Sequence, residues 1–470
     1  MRPRPSLLLI MVGAALGLLF AGFSTFDFAQ HLDRQVHGVH CSFLPGLTGT
    51  QVGESGCQAV MISPYSSLFR AKLWGGIPIS LPAMSVFAFL LFFAAEVALS
   101  RRQGDRRATG FLALATVLPA AASAVMALVA LIEVGSMCKL CVGIYLASAL
   151  CLLGGVLVWR RARRAEGNAD GWAALMRRAD APKSGEPAWV AGEAEVEPVP
   201  VPEAPMDSAP GPSPAPATAA VGAGYLGFAF ALGVVFVALP VAAYVASAPD
   251  QARFVGSCGA LENPGDPYAT HVPLDPHPGG APTLEILDPL CPACRAFDLR
   301  LAAAGLADKL DRKAALFPLD NTCNWMVGSA IHPGACAVSE AVLCAGARAS
   351  LVVSWAFEQQ ERIREAAARD PKAAGRMVAA RFPELAGCMG SAEVRSRLNK
   401  SLRFAVRNHL PVLTPQIYVA GVKLCDEDVD LGLDFALSRM LEQFRQGTLE
   451  RTQLPAAGAV SPAAAGKVTP

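Results

Sequence analysis

The sequence predicts a mixed architecture: a four-helix membrane bundle, a fifth transmembrane helix, and an α/β domain with a helical insert in water. Three observations carry this. The 470-residue chain is 53% hydrophobic and only 17% charged, an apolar excess that points to a membrane protein rather than one large soluble domain. Five apolar runs each approach the ~20 residues needed to cross a bilayer. Beyond the last of them the pattern changes to short strand-like runs around a long helical stretch. A net charge of +1 suggests no polyanionic partner, and no basic block interleaved with aromatics suggests nucleic acid.

The runs are 6–24 (SLLLIMVGAALGLLFAGFS), 78–99, 109–132, 137–159 and 225–247. The third contains Pro119, which neighbouring helices can accommodate. Arg2 and Arg4 precede the first run, SRRQGDRR joins the second to the third, and RRARR follows the fourth. If the runs alternate, all three clusters share one side, and the positive-inside rule makes that side the cytoplasm. Loop 25–77, the turn before Cys138 and everything after 248 are then external. A rival reading makes residues 1–24 a cleaved signal peptide; it leaves the side of every later loop unchanged. The stretch EPAWVAGEAEVEPVPVPEAPMDSAPGPSPAPATAA is Pro/Ala/Glu-rich without apolar period and reads as a flexible tether. The expected divisions are a membrane domain at 1–164, a cytoplasmic linker at 165–222, a fifth span at 223–248 and an external domain at 249–470.

This topology places twelve of the thirteen cysteines outside or at the outer membrane face, where disulfides persist. Cys151, deeper in the fourth run, is expected only to pack. Cys41 and Cys57 are the cysteines of the first outer loop. Cys138 and Cys141, in GSMCKLCVGIYL, open the fourth run. A helix N-terminus there favours the thiolate, the reactive form. Two pairs on one side of a membrane can pass two electrons by thiol–disulfide exchange. Two structural disulfides are the plainer reading, but a structural bridge needs no C-x-x-C at the membrane surface.

Residues 8–160 resemble the vitamin K epoxide reductase family: four spans, a cysteine pair in the first outer loop and a C-x-x-C opening the fourth span. Ser63, six residues after Cys57, falls where that family has an active-site Ser/Thr. Tyr145, four after Cys141, falls where it has a Tyr near the quinone. The resemblance implies that Cys141 faces the quinone and that Cys138 exchanges with Cys57. It implies too that Cys41 meets the external redox partner. The fifteen residues between Cys41 and Cys57 depart from many relatives.

A second C-x-x-C lies in APTLEILDPLCPACRAF. TLEIL reads as a strand and DPL as a turn. Cys291 then sits at a helix N-cap with Pro292 at the first helical position, where proline is favoured. The helix N-terminus favours the Cys291 thiolate; Cys291 is expected to be the exposed attacker and Cys294 the shielded resolving thiol. Strands are expected at 314–320 and on either side of Ala420-Gly421, and a helix at 430–444. The order resembles a thioredoxin-like, DsbA-type fold with a helical insert at 335–410. The resemblance places Pro415, after Thr414, as the cis-proline beside the C-x-x-C that receives substrate backbone. CPAC lacks the His found at its third position in many such relatives, which implies a less oxidising pair. Six cysteines remain (Cys258, Cys323, Cys336, Cys344, Cys388, Cys425) and allow 15 connectivities; Cys323–Cys336 and Cys388–Cys425 are the expected pairs. His332 reads as a turn residue. No second cysteine pair with ligand spacing completes a zinc site, so no metal is expected.

The two resemblances together imply a membrane thiol oxidoreductase that generates disulfides in client proteins bearing free thiols outside the plasma (inner) membrane. Electrons run from the client to Cys291/Cys294, to Cys41/Cys57, to Cys138/Cys141, and to ubiquinone or menaquinone. A disulfide isomerase or reductase is one alternative. A disulfide-stapled membrane binding protein is another.

Overall fold

The computed structural model describes residues 5–30, 60–61, 63–134, 137–179 and 222–449. Their contacts divide into two compact units, the first of Met1–Gly22, Pro82–Val129 and Lys139–Pro240, the second of Phe23–Leu81, Ala130–Cys138 and Val241–Pro470.

The first unit is helical. It is drawn from α1 (Pro5–Gln30), α2 (Ser80–Leu99), α3 (Arg106–Val129), α4 (Lys139–Ala179) and α5 (Ala223–Ser247). Leu7, Ile10, Phe87, Leu90, Phe93, Leu112 and Ala147 form its core, and Cys151 packs fully buried among them. Small residues let α1 and α4 approach closely, as apolar helices in lipid require. A Cβ on Gly13 would lie 2.9 Å from Cys151 Sγ, and one on Gly154 would lie 2.6 Å from Ile10 Cγ1. The Ser123 and Ser148 hydroxyls stand 2.8 Å apart between α3 and α4. At the start of α5 the Tyr225 hydroxyl donates to Glu96, and the Arg102 guanidinium lies 4.5 Å over the Tyr225 ring.

Among the described residues, six helical stretches are long and apolar enough to cross a membrane. The five runs read from the sequence fall on the first five. The other, Ala335–Arg369, lies in the second unit as α7 (Ala335–Ala345) and α8 (Ala349–Arg369), with a 3-10 turn over Gly346–Arg348 between them. Its Val338, Val342, Val352, Ala356 and Ile363 line a core cluster of that unit, so its apolarity is answered by protein.

The second unit holds a small hairpin, β1 (Ser67–Leu68) and β2 (Ile77–Pro78), and a five-stranded sheet. The sheet strands are β3 (Val272–Asp275), β4 (Ala281–Leu287), β5 (Leu310–Leu316), β6 (Gln416–Val419) and β7 (Val422–Lys423), ordered β3-β5-β4-β6-β7. β4 and β5 are parallel, joined through α6 (Pro292–Ala303), the crossover that a parallel pair requires. The other pairings are antiparallel. Helices α7, α8, α9 (Ala373–Arg381) and α10 (Ala392–Arg407) fill the interval between β5 and β6, and α11 (Leu433–Gln446) follows β7. This is an α/β arrangement with the helical insert where the sequence places it.

Two expectations need correction, and one strand is new. The strand expected at 314–320 is Leu310–Leu316. It starts early because Arg312 is buried between Glu285 (Nε–Oε1 2.8 Å) and Asp298 (2.7 Å); at Phe317 the chain turns to follow Leu287 and Asp288. β3 was not anticipated, since its four residues VPLD show too little alternation. The disulfides are Cys323–Cys336, as expected, with Cys344–Cys388 and Cys258–Cys425 in place of Cys388–Cys425. Cys344 lies in the last turn of α7, against which the turn after α9 packs. Cys425 follows β7, where an Ala260–Val422 bridge brings the segment of Cys258 alongside.

Candidate active site

β4 ends at Leu287, and four residues later Cys291 caps α6 in extended conformation (φ −80°, ψ 120°) with Pro292 at the first helical positions. A proline costs nothing there because that N–H has no intrahelical partner. Both CPAC cysteines are thiols. The Thr414–Pro415 peptide is cis, and the Thr414 carbonyl oxygen lies 3.4 Å from Cys291 Sγ. The structure therefore brings together Cys291, Cys294, Thr414 and Pro415 from two distant parts of the chain.

The two thiols are driven apart in acidity. A hydrogen bond from the Cys294 thiol holds the Cys291 pKa down at about 6, against the opposing effect of burial, with further help from Thr414 and the Cys294 backbone N–H. The Thr414 hydroxyl is buried without a hydrogen-bond partner among the described residues, which leaves it available to a Cys291 thiolate. Burial, then the hydrogen bond to Cys291, pushes Cys294 well above the ordinary thiol value. A low-pKa attacking thiol beside a high-pKa thiol is the asymmetry that thiol–disulfide exchange uses.

Cys291 is not exposed as expected: its relative exposure is 4%, against 1% for Cys294. Its own carbonyl accepts from Gln360 Nε2 at 2.9 Å, so α8 covers the loop from one side and the 411–415 segment from the other.

Sequence reasoning missed the support beneath this pair. Asp288, fully buried, accepts from the backbone N–H groups of Leu290 and Leu319, each at 2.8 Å, and from His332 Nδ1 at 2.6 Å. His332 does sit in a turn, but its ring is buried. The available signal was Asp288 itself, a lone carboxylate at the end of an apolar strand three residues before Cys291.

At the membrane pair, Cys138 is buried just before α4, and Cys141 is partly buried in the first turn of α4. Tyr145, also partly buried, lies one turn further on the same helix. Ser63 is buried, and its hydroxyl donates to the Val60 carbonyl at 2.8 Å. Cys41 and Cys57 lie outside the described residues.

Residues 8–154 match the vitamin K epoxide reductase family. The vitamin K epoxide reductase match covers α1 to α3 and the part of α4 that carries Cys141 and Tyr145, and it ends before the C-terminal α/β domain. With the apolar helices it supports a multi-pass membrane protein and an oxidoreductase; the matched family is linked in general to quinone and to thiol-bearing substrates. No curated protein matches the chain, and no solved structure does.

Proposed function

We propose that the chain is a quinone-dependent, disulfide-forming oxidoreductase of the vitamin K epoxide reductase type with its thioredoxin-like partner fused in the same polypeptide. The observation that carries this is the split acidity of Cys291 and Cys294, with Cys291 Sγ 3.4 Å from the Thr414 carbonyl oxygen, in a chain whose residues 8–154 match that family.

A client dithiol reduces the Cys291–Cys294 disulfide, becoming a disulfide itself, and two electrons and two protons pass to CPAC. The same exchange moves them to Cys41/Cys57 and then to Cys138/Cys141. Quinone, as co-substrate, accepts two electrons and two protons to become quinol. Cys141 delivers them and the Tyr145 hydroxyl orients the quinone oxygen. Ser63 supports the loop at Cys57, and Thr414 and Pro415 receive client backbone. The charged loops support a cytoplasmic N-terminus and linker, with the α/β domain outside the plasma (inner) membrane.

The test is dithiol-to-quinone turnover by the purified chain. Turnover should be present, and Cys141→Ala should abolish quinone reduction while Cys291/Cys294 still exchange with small dithiols. Normal quinone reduction by that variant would show that electrons leave elsewhere. An impermeant thiol label on intact cells should reach the α/β domain; an impermeant protease should spare the 165–222 linker.

A further inference from the structure

The β1–β2 hairpin belongs to the first outer loop, yet two of its large side chains, Trp74 and Arg70, are buried against the C-terminal part of the second unit. Trp74 is 5% exposed and Arg70 is 6% exposed. Trp74 joins Phe28 and Met61 in one apolar cluster with Phe297, Leu431, Leu433 and Leu437. The indole Nε1–H donates to Asp428 Oδ1 at 2.7 Å, and Asp428 is itself buried. Beside it, a Cβ on Gly432 would lie 2.3 Å from Trp74 Nε1 and 2.9 Å from Asp428 Oδ1; the seat has room for glycine alone. Arg70 reaches Asp434 at 3.7 Å.

The hairpin is built for this contact. Arg70 is held by the Ser67 hydroxyl at 2.7 Å and the Ser66 hydroxyl at 3.2 Å, and Ser67 donates to the Gly75 carbonyl at 2.6 Å. The Tyr244 hydroxyl adds a bond to the Gly76 carbonyl at 3.0 Å. A buried tryptophan with its N–H paired, beside an arginine facing a carboxylate, is the residue set that dominates recognition energy in interfaces. The seat also stands apart from the chemistry: Cys291 and Cys294 pack in a different core cluster.

We propose that Trp74 and Arg70 are specificity determinants that select this chain's own α/β domain, through Asp428, Gly432 and Asp434, as the electron donor to the first outer loop. This rests on the relay described under Proposed function. A foreign thioredoxin-like protein without a carboxylate at the Asp428 position has no acceptor there for the indole, and one with any side chain at the Gly432 position has no space for it. Donor choice is then set by a seat made of tryptophan, glycine and carboxylates, and the fused domain is docked as well as tethered.

The experiment uses the full chain. Hydrogen exchange is followed over 426–434, and quinone reduction is driven in parallel by a reduced, unfolded client protein and by dithiothreitol, which can meet the membrane cysteines directly. Gly432→Ala and Trp74→Ala should raise exchange at 426–434 and lower client-driven turnover by about tenfold or more, with dithiothreitol-driven turnover unchanged. Arg70→Asp and Asp434→Arg should each lower client-driven turnover, and the double charge reversal should restore most of it, which a misfolded chain would not do. Unchanged client-driven turnover overturns the proposal, whether or not exchange rises. Absence of client-driven turnover in the unmutated chain would sink the relay, and with it donor selection, while exchange would still report whether the seat forms.

Discussion

Nδ1 of His332 stands 2.6 Å from Oδ2 of Asp288, buried beneath the CPAC helix. The same carboxylate takes the N–H groups of Leu290 and Leu319, so one side chain fixes the loop entering Cys291 and the turn leaving β5. The carboxylate accepts, so Nδ1 carries the proton. Burial opposes a charged ring, but the hydrogen bond to Asp288 and its charge hold the His332 pKa above the ordinary value. Removing the carboxylate orphans three donors, two of them backbone. Asp288→Ala should cost about 3 kcal/mol in denaturant unfolding of the chain, the range for lost bonds to a buried charged group. Asp288→Asn, which keeps one acceptor pair, should cost less. Equal losses for the two variants would argue against this arrangement.

The Cys291 thiol should titrate near its value of about 6. In reduced protein, iodoacetamide capture of Cys291 should rise through that pH and level off by neutrality, while Cys294 stays unreactive. The folded pKa lies below the ordinary 9.0, so between them the unfolded chain binds more protons and stability rises with pH. The stability that the thiolate contributes is present above the unfolded value and lost as pH falls through the folded one. Reduced protein should therefore gain on reduced Cys291→Ala from pH 6 upward. Thr414→Val, which removes the hydroxyl available to the thiolate, should move the capture midpoint upward. A midpoint that stays put would take Thr414 out of the account.

Arg312 is buried across β4 and β5 between Glu285 and Asp298. Arg312→Met leaves Glu285 buried without its counter-charge and should cost about 3 kcal/mol by denaturant unfolding. Glu285→Met together with Arg312→Met should recover much of that, since an apolar pair of similar volume removes the desolvated charges altogether. A double variant no more stable than the single would mean that Arg312 acts through packing alone.

The sequence made the chemistry-bearing turns legible because they depend on local rules. Pro292 after Cys291 specifies a helix start, and the short apolar runs around Ala420-Gly421 specify two strands, both seen in the structure. Cys323–Cys336 could be read because the two lie close in sequence. Cys344–Cys388 and Cys258–Cys425 could not, since the packing of α9 on α7 and the β7 edge decide them. The burial of Cys291 escaped for the same reason: Gln360 and Thr414 come from segments 69 and 123 residues away. Asp288 and His332 are 44 residues apart, and no periodic pattern links a strand-end carboxylate to a histidine in a later turn.

The relay itself can be trapped. Exchange passes through a mixed disulfide that the second thiol of the pair resolves. Cys294 is buried behind Cys291 with its pKa raised, so it resolves and Cys291 attacks. In Cys294→Ala, Cys291 should stay joined to the membrane half of its own chain, at Cys41, with Cys57 reserved for Cys138. Cleavage in the 165–222 linker followed by non-reducing, denaturing electrophoresis should leave the two halves together; peptide mass spectrometry then names the partner. A Cys291–Cys57 link would keep the path and reverse the two loop cysteines. Halves that separate although the loop cysteines are oxidised would show that the α/β domain does not donate directly to the loop.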